Sequence, residues 1–155
     1  MLYNIGDYIM KKSLYIAGPL FNIHERRYLE EITSELEGSG YHCFLPHRDQ
    51  SGVNESELEK TEMSKATKDK IFKNDLDALK KSDMTIALIT GWDIDSGTAG
   101  EIGFTFANGK PVIAIDASER RYRNLFVDGM IMQTVNNVDD IIPAIEKIIS
   151  IREDL

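Results

Sequence analysis

The spacing of apolar positions changes period repeatedly along the chain. Ser13-Leu14-Tyr15-Ile16-Ala17 is a short apolar run that stops at Gly18-Pro19 and predicts a strand. Residues 24–38 follow with Tyr28, Leu29, Ile32 and Leu36 on one side, the spacing of an amphipathic helix, and Gly38 and Gly40 end it. Residues 41–45 predict a second strand closed by Pro46, and residues 47–64, polar and rich in Ser and Glu, predict the least structured part of the chain. A helix over about 65–82 leads to a third strand, Met84-Thr85-Ile86-Ala87-Leu88-Ile89. A near-continuous apolar run of this kind suits a strand covered on both faces. A helix near 98–108, a fourth strand over 112–115 after Gly109-Lys110-Pro111, and a weak fifth strand near 130–135 come next. The last helix, about 138–151, carries Val138, Ile141, Ile142, Ile145, Ile148 and Ile149 at three- and four-residue spacing.

Strands alternating with helices predict parallel βαβ units. The expected fold is α/β: a doubly wound, flavodoxin-like five-stranded parallel sheet of order 2-1-3-4-5, flanked by helices, in a single domain. Ligands of such sheets bind outside the carboxyl ends of the strands, near the switch point. Attention therefore falls on residues 18–22, 46–50, 90–101 and 116–124.

Composition narrows the function classes. A length of 155 residues predicts one domain, and 42% apolar against 28% charged residues is an ordinary globular balance. Eighteen Lys and Arg against 26 Asp and Glu give a net charge of −8, which repels nucleic-acid backbones. The lone Cys43 excludes an internal disulfide and a multi-Cys zinc site, and its apolar run predicts a buried structural thiol. No apolar stretch approaches the ~20 residues of a membrane span. The N-terminus does not read as a signal peptide, so the expected location is cytoplasmic.

Several familiar chemistries are missing. Neither G-x-G-x-x-G nor G-x-x-x-x-G-K-[ST] is present, and there is no G-x-S-x-G elbow. His24, His42 and His47 lack metal-ligand spacing and read as loop or surface histidines. Receiver domains need an acidic pair after the first strand, where this chain has Gly18-Pro19. No metal and no cofactor is implied.

Carboxylate chemistry remains. In Asp95-Ser96-Gly97-Thr98-Ala99-Gly100-Glu101, Thr98 and Glu101 form a capping-box pattern, with Thr98 as N-cap. That structural reading leaves Gly100 unexplained, since glycine is a poor helix former. The functional reading is a carboxylate at a helix N-terminus, beside glycines (Gly97, Gly100) that admit a ligand, kept ionised by the helix dipole as a nucleophile requires. Asp75 falls on the apolar face drawn by Ile71, Phe72, Leu76 and Leu79. An acid placed there is a general-acid candidate, because burial raises its pKa. The competing reading is an acid that reaches water past its neighbours. One ionised and one protonated carboxyl are what retaining glycosyl transfer uses.

At these residues the chain resembles a known family. Tyr15-Ile16-Ala17-Gly18-Pro19-Leu20-Phe21, Asn74-Asp75-Leu76, Asp95 through Gly103 and Gly109-Lys110-Pro111-Val112, in this order and spacing, are similar to the nucleoside 2-deoxyribosyltransferases. The resemblance runs from about residue 13 to 149, which leaves residues 1–11 as an N-terminal extension and 12–155 as the family domain. It implies Glu101 as nucleophile, holding 2-deoxyribose as a covalent ester, with Asp75 serving the base and Tyr15 orienting the nucleophile. It implies substrate contacts from Asp95 to the sugar 5′-hydroxyl, from Gln50 and Phe21 to the nucleoside, and from Gly18 and Gly97 in the motif loops. It implies that Asn124 reaches the 5′-hydroxyl of a neighbouring subunit's site, so that a homo-oligomer completes its sites across subunits. The partners are a deoxynucleoside donor and a free nucleobase acceptor, with slow hydrolysis when no acceptor is present. Phe126 and Asp128 depart from residues common in some members. The alternative enzyme is an N-glycoside hydrolase of 2′-deoxynucleoside 5′-monophosphates, for which Arg120, Arg121 and Arg123 are the nearest basic candidates. A nucleoside-binding module without turnover is the non-enzymatic alternative.

Overall fold

Alternation along the first strand decides where the site lies. β1 (Ser13–Ala17) sends Leu14 and Ile16 into one apolar cluster and Tyr15 and Ala17 into another on the opposite face. α1 (Ile23–Gly38) and α6 (Ile141–Glu153) contribute to the first cluster, and α3 (Lys65–Lys81) and α4 (Ser96–Ala107) to the second. Between these layers run β2 (His42–Phe44), β3 (Met84–Ile89), β4 (Val112–Asp116) and β5 (Gln133–Val135). The five strands are all parallel, in the order β2-β1-β3-β4-β5, as the sequence predicts. β3 is buried at all six positions, which is why its sequence is apolar except for Thr85, whose buried hydroxyl pairs with Thr105. Cys43 is buried as expected, which pushes its thiol up to about 12.

This architecture comes from a computed structural model, which describes residues 11–58, 60–117 and 124–153. The expected N-terminal extension lies outside the described residues except for Lys11, and so do Arg120, Arg121 and Arg123. No helix among the described residues is long and apolar enough to cross a membrane.

Several boundaries differ from the sequence reading. α4 starts at Ser96 because Asp95, not Thr98, is its N-cap: Asp95 Oδ1 accepts the Thr98 N–H at 3.1 Å and Oδ2 accepts the Thr98 hydroxyl at 2.5 Å. The polar segment holds a short helix, α2 (Glu55–Leu58). Asn124 caps another, α5 (Leu125–Asp128). Val138–Asp140 is a 3₁₀ turn capped by Asn137, so α6 begins only at Ile141. Phe72 does not belong to the apolar face of α3; it is 67% exposed.

Candidate active site

α4 presents one inward stripe. Thr98, Ile102 and Thr105 are buried at helical spacing, and Glu101 lies on the same side, three residues after Thr98 and four before Thr105. The stripe faces β1 and β3, where the Thr105 and Thr85 hydroxyls share a hydrogen bond of 2.7 Å. Glu101 therefore points at Tyr15, whose hydroxyl donates to Glu101 Oε1 at 2.6 Å. The Tyr15 ring is fully buried and stacks on Phe44 of β2, with centroids 5.6 Å apart. Phe44 is also its pairing partner in the sheet. The phenol is thus fixed at ring and hydroxyl alike, and burial with the nearby negative charge of Glu101 keeps it protonated.

The electrostatics of Glu101 differ from the sequence expectation. Burial is the largest influence and pushes its carboxyl up to about 7. Tyr15 donation opposes this, while the charges of Asp75 and Asp95 add to it. The helix dipole does not hold Glu101 ionised, because it is the sixth residue counted from Ser96 and the dipole acts within the first turn. Asp75, on α3, is also raised by burial, with a hydrogen bond from Gln50 opposing. Two carboxyls that each favour a proton, with negative charge felt between them, titrate as a pair.

A cleft of about 600 Å³ opens beside Asp75, bordered by Leu20, Arg26, His47, Gln50, Met63 and Ile71 among others. Gln50 donates to Asp75 Oδ1 at 2.7 Å and to the Pro46 carbonyl at 2.9 Å. The structure thus brings together Tyr15 with Glu101 and Gln50 with Asp75, and it sets Asp95 at the N-cap of α4, six residues before Glu101. Phe21 and Asn124 share no hydrogen bond with these groups among the described residues. The Phe21 N–H donates to Glu25 at 3.0 Å and its side chain is mostly exposed. Asn124 Oδ1 accepts the N–H groups of Phe126 and Val127. Gly18 has a packing reason: a Cβ there would lie 2.7 Å from a Leu29 methyl. At Gly100 a Cβ would meet nothing within 4 Å, and at Gly97 only Asp95 Oδ1 at 3.5 Å.

Three residues at the site had no role in the sequence reading. Asn74 was legible only as the neighbour of Asp75, yet its amide reaches Gln50 and Ser51. Arg26 lines the cleft and donates to the Leu20 carbonyl at 2.9 Å; nothing in its helix pattern marks it. His47 is a loop histidine but not a surface one. Its Nε2 lies 2.9 Å from Glu30, its Nδ1 is buried, and it borders the cleft. Among the described residues no His, Cys, Asp and Glu group is arranged to hold a metal.

Comparison with known proteins gives the geometry a context. A family model described as nucleoside 2-deoxyribosyltransferase matches residues 14–142. The solved structure of a 2-deoxyribosyltransferase from Bacillus psychrosaccharolyticus is 27% identical, with a TM-score of 0.71 over 83% of this chain and 89% of that one. A conserved protein of Enterococcus faecalis is 24% identical, with a TM-score of 0.71 over 88% and 98% of the two chains. The CMP N-glycosidase of Clostridium botulinum is 21% identical, with a TM-score of 0.56 over 87% and 99%. The last two likenesses concern the fold alone. No curated protein matches the sequence significantly.

Proposed function

The chain belongs to the nucleoside 2-deoxyribosyltransferase family, and from that premise we propose that it moves a 2-deoxyribosyl group from one nucleobase to another through an ester on Glu101. The observation that carries this reading is the Tyr15–Glu101 contact of 2.6 Å, with Asp75 acting on both groups from the edge of a cleft. Tyr15 donates to Oε1 and so orients the carboxylate. Oε2 accepts no hydrogen bond among the described residues and is not sealed from solvent, which leaves it free to attack C1′. Asp75 borders a cavity large enough for a nucleobase, where it protonates the departing base and later deprotonates the incoming one. Two displacements at one carbon give overall retention. Asp95 accepts from the 5′-hydroxyl, and Gln50, Phe21, Gly18 and Gly97 line the path of the nucleoside.

The same reading makes the protein a homo-oligomer. Leu125 and Phe126 are 78% and 80% exposed beside Asn124, an apolar surface suited to burial against a second copy. Asn124 would then enter a neighbour's site. The competing reading is hydrolysis of 2′-deoxynucleoside 5′-monophosphates, the alternative the sequence leaves open.

An exchange assay separates the readings. A labelled free base incubated with an unlabelled deoxynucleoside should emerge as labelled nucleoside. Release of free base with no label in any nucleoside, best with a 5′-monophosphate, would replace transfer by hydrolysis. Binding with no turnover of any donor would leave only a nucleoside-binding module.

A further inference from the structure

We propose that Asn74 and Gln50 are positioning residues that fix the proton of Asp75 on Oδ2, the oxygen left free for the base. This rests on the transfer reading above and concerns how its general acid is aimed.

The argument is one of hydrogen-bond polarity. The two ends of an amide side chain have the same shape, and only their partners distinguish oxygen from nitrogen. Asn74 lies 2.9 Å from the Ser51 carbonyl, which can only accept, so Asn74 presents its NH₂ there. The same NH₂ reaches Gln50 at 3.0 Å, so Gln50 presents its oxygen to Asn74. The Gln50 NH₂ then faces the Pro46 carbonyl at 2.9 Å and Asp75 Oδ1 at 2.7 Å. A backbone carbonyl therefore keys the chain at each end, and reversing either amide would set oxygen against oxygen. Both Gln50 N–H groups are committed, so its first task is to hold Asp75 rather than to read the base.

The loop that carries Gln50 is itself tied down. The Leu45 carbonyl accepts from the N–H groups of Arg48 and Asp49, and the Leu45 N–H donates to Asp49. Asn74 and Asp75 are consecutive on α3 and do not face each other. Gln50 joins them from outside the helix.

The consequence falls on Asp75. Oδ1 always receives an N–H, so a proton placed on Oδ1 would meet that hydrogen head-on. Oδ2 accepts no hydrogen bond among the described residues and is not sealed from solvent. When Asp75 is protonated, its proton sits on Oδ2. The titratable and charged groups around it are Glu101 and Tyr15 from α4 and β1, Arg26 from α1 and His47 from the loop after β2. As Glu101 Oε2 bonds to C1′, the C1′–N pair of electrons goes to the base. The Oδ2 proton follows it, and Asp75 remains as a carboxylate still holding the Gln50 N–H. In the second half, the acceptor nitrogen bonds to C1′, the ester C–O bond breaks to restore Glu101, and the acceptor proton returns to Oδ2.

Gln50→Glu and Asn74→Ala test this. The first replaces the N–H on Oδ1 with a carboxylate oxygen, which draws the shared proton off Oδ2. With natural deoxynucleosides, kcat of Gln50→Glu should fall on the order of 100-fold. With a donor whose leaving group needs no proton it should fall less than about tenfold, and the alkaline limb of its pH profile should move up. Asn74→Ala should change the ratio of the two rates in the same direction, by less. In the wild type, both Gln50 side-chain amide protons should exchange with solvent more slowly than those of an exposed glutamine, a measurement that needs no variant. Equal losses for both donors in the folded variants, or fast-exchanging Gln50 amide protons, would overturn the proposal. A wild-type protein inactive with every donor would instead sink the transfer reading.

Discussion

Tyr15 and Glu101, 86 positions apart, meet through a single hydrogen bond of 2.6 Å between the middle of β1 and the inward stripe of α4. The contact is partly buried, the donor is held by stacking on Phe44, and burial pushes the acceptor's carboxyl up to about 7. Structural packing alone would leave a costly arrangement, since a carboxylate buried against other acids destabilises the fold. The proposed chemistry at Glu101 gives that cost a purpose.

Removing the hydroxyl should show this. Tyr15→Phe keeps the ring and its stacking on Phe44, so the fold should survive. Glu101, the proposed nucleophile, loses the hydrogen bond from Tyr15. We expect kcat to fall by about 10- to 100-fold with KM little changed, because a hydrogen bond to a charged group contributes about 1.5–3 kcal/mol. An unchanged kcat would remove Tyr15 from the catalytic machinery.

The pH profile should be bell-shaped. On the proposed mechanism the active form carries one proton on the Glu101–Asp75 pair: one group attacks and the other protonates the base. As pH falls, both become protonated and the nucleophile is lost. As pH rises through about 7, the last shared proton leaves, because burial and the charge of Asp75 have raised Glu101 to that value. Measured kcat/KM should therefore drop about tenfold per unit above about pH 7. A plateau extending to pH 9 would contradict the shared-proton account.

The fold was legible to the extent that burial leaves a one-dimensional trace. β3 is covered on both faces and reads as an apolar run, while the glycines and prolines at its neighbours mark the turns. The sequence does not single out the cap of α4, because Asp95-x-x-Thr98 and Thr98-x-x-Glu101 are overlapping capping patterns. The fold selects the first, which buries Thr98 to 2% exposure and frees Glu101 to reach Tyr15. The helical spacing of α3 points Phe72 inward although it is exposed, because a helical wheel cannot tell where the neighbouring layer ends. Asp75 stood out as an acid on an apolar face, but its tie to Gln50, 25 positions away, exists only once the loop after β2 folds onto α3. Tyr15 carried no signal in the strand pattern and came from family resemblance alone.

Asp95 should separate two roles. As N-cap of α4 it contributes about 1 kcal/mol, which Asp95→Ala should lose and Asp95→Asn should largely keep, since asparagine caps equally well. As the acid expected at the 5′-hydroxyl, it meets a 5′-phosphate as a like charge. At ~4 Å and an effective dielectric near 20 the repulsion is about 4 kcal/mol before screening. Asp95→Asn should therefore narrow the preference for deoxyadenosine over its monophosphate while leaving thermal stability nearly unchanged. An unaltered preference would place Asp95 in the cap alone.

Asn124 should act across subunits. Mixing inactive Glu101→Ala with an inactive Asn124→Ala protein under subunit exchange should restore part of the activity, because some sites would pair an intact Glu101 with an intact Asn124. No recovery after exchange is verified would mean that each site is built within one chain.

The proposed covalent ester on Glu101 is the step on which the transfer reading depends. Intact-protein mass spectrometry after incubation with a 2-fluoro-2-deoxyribosyl donor, whose fluorine slows turnover of the intermediate, reads it directly. The account predicts one added fluorosugar on the wild type, located by peptide mapping at Glu101 and absent from Glu101→Ala. An adduct that persists in Glu101→Ala, or turnover of natural donors with no adduct on the wild type at any time, would contradict it.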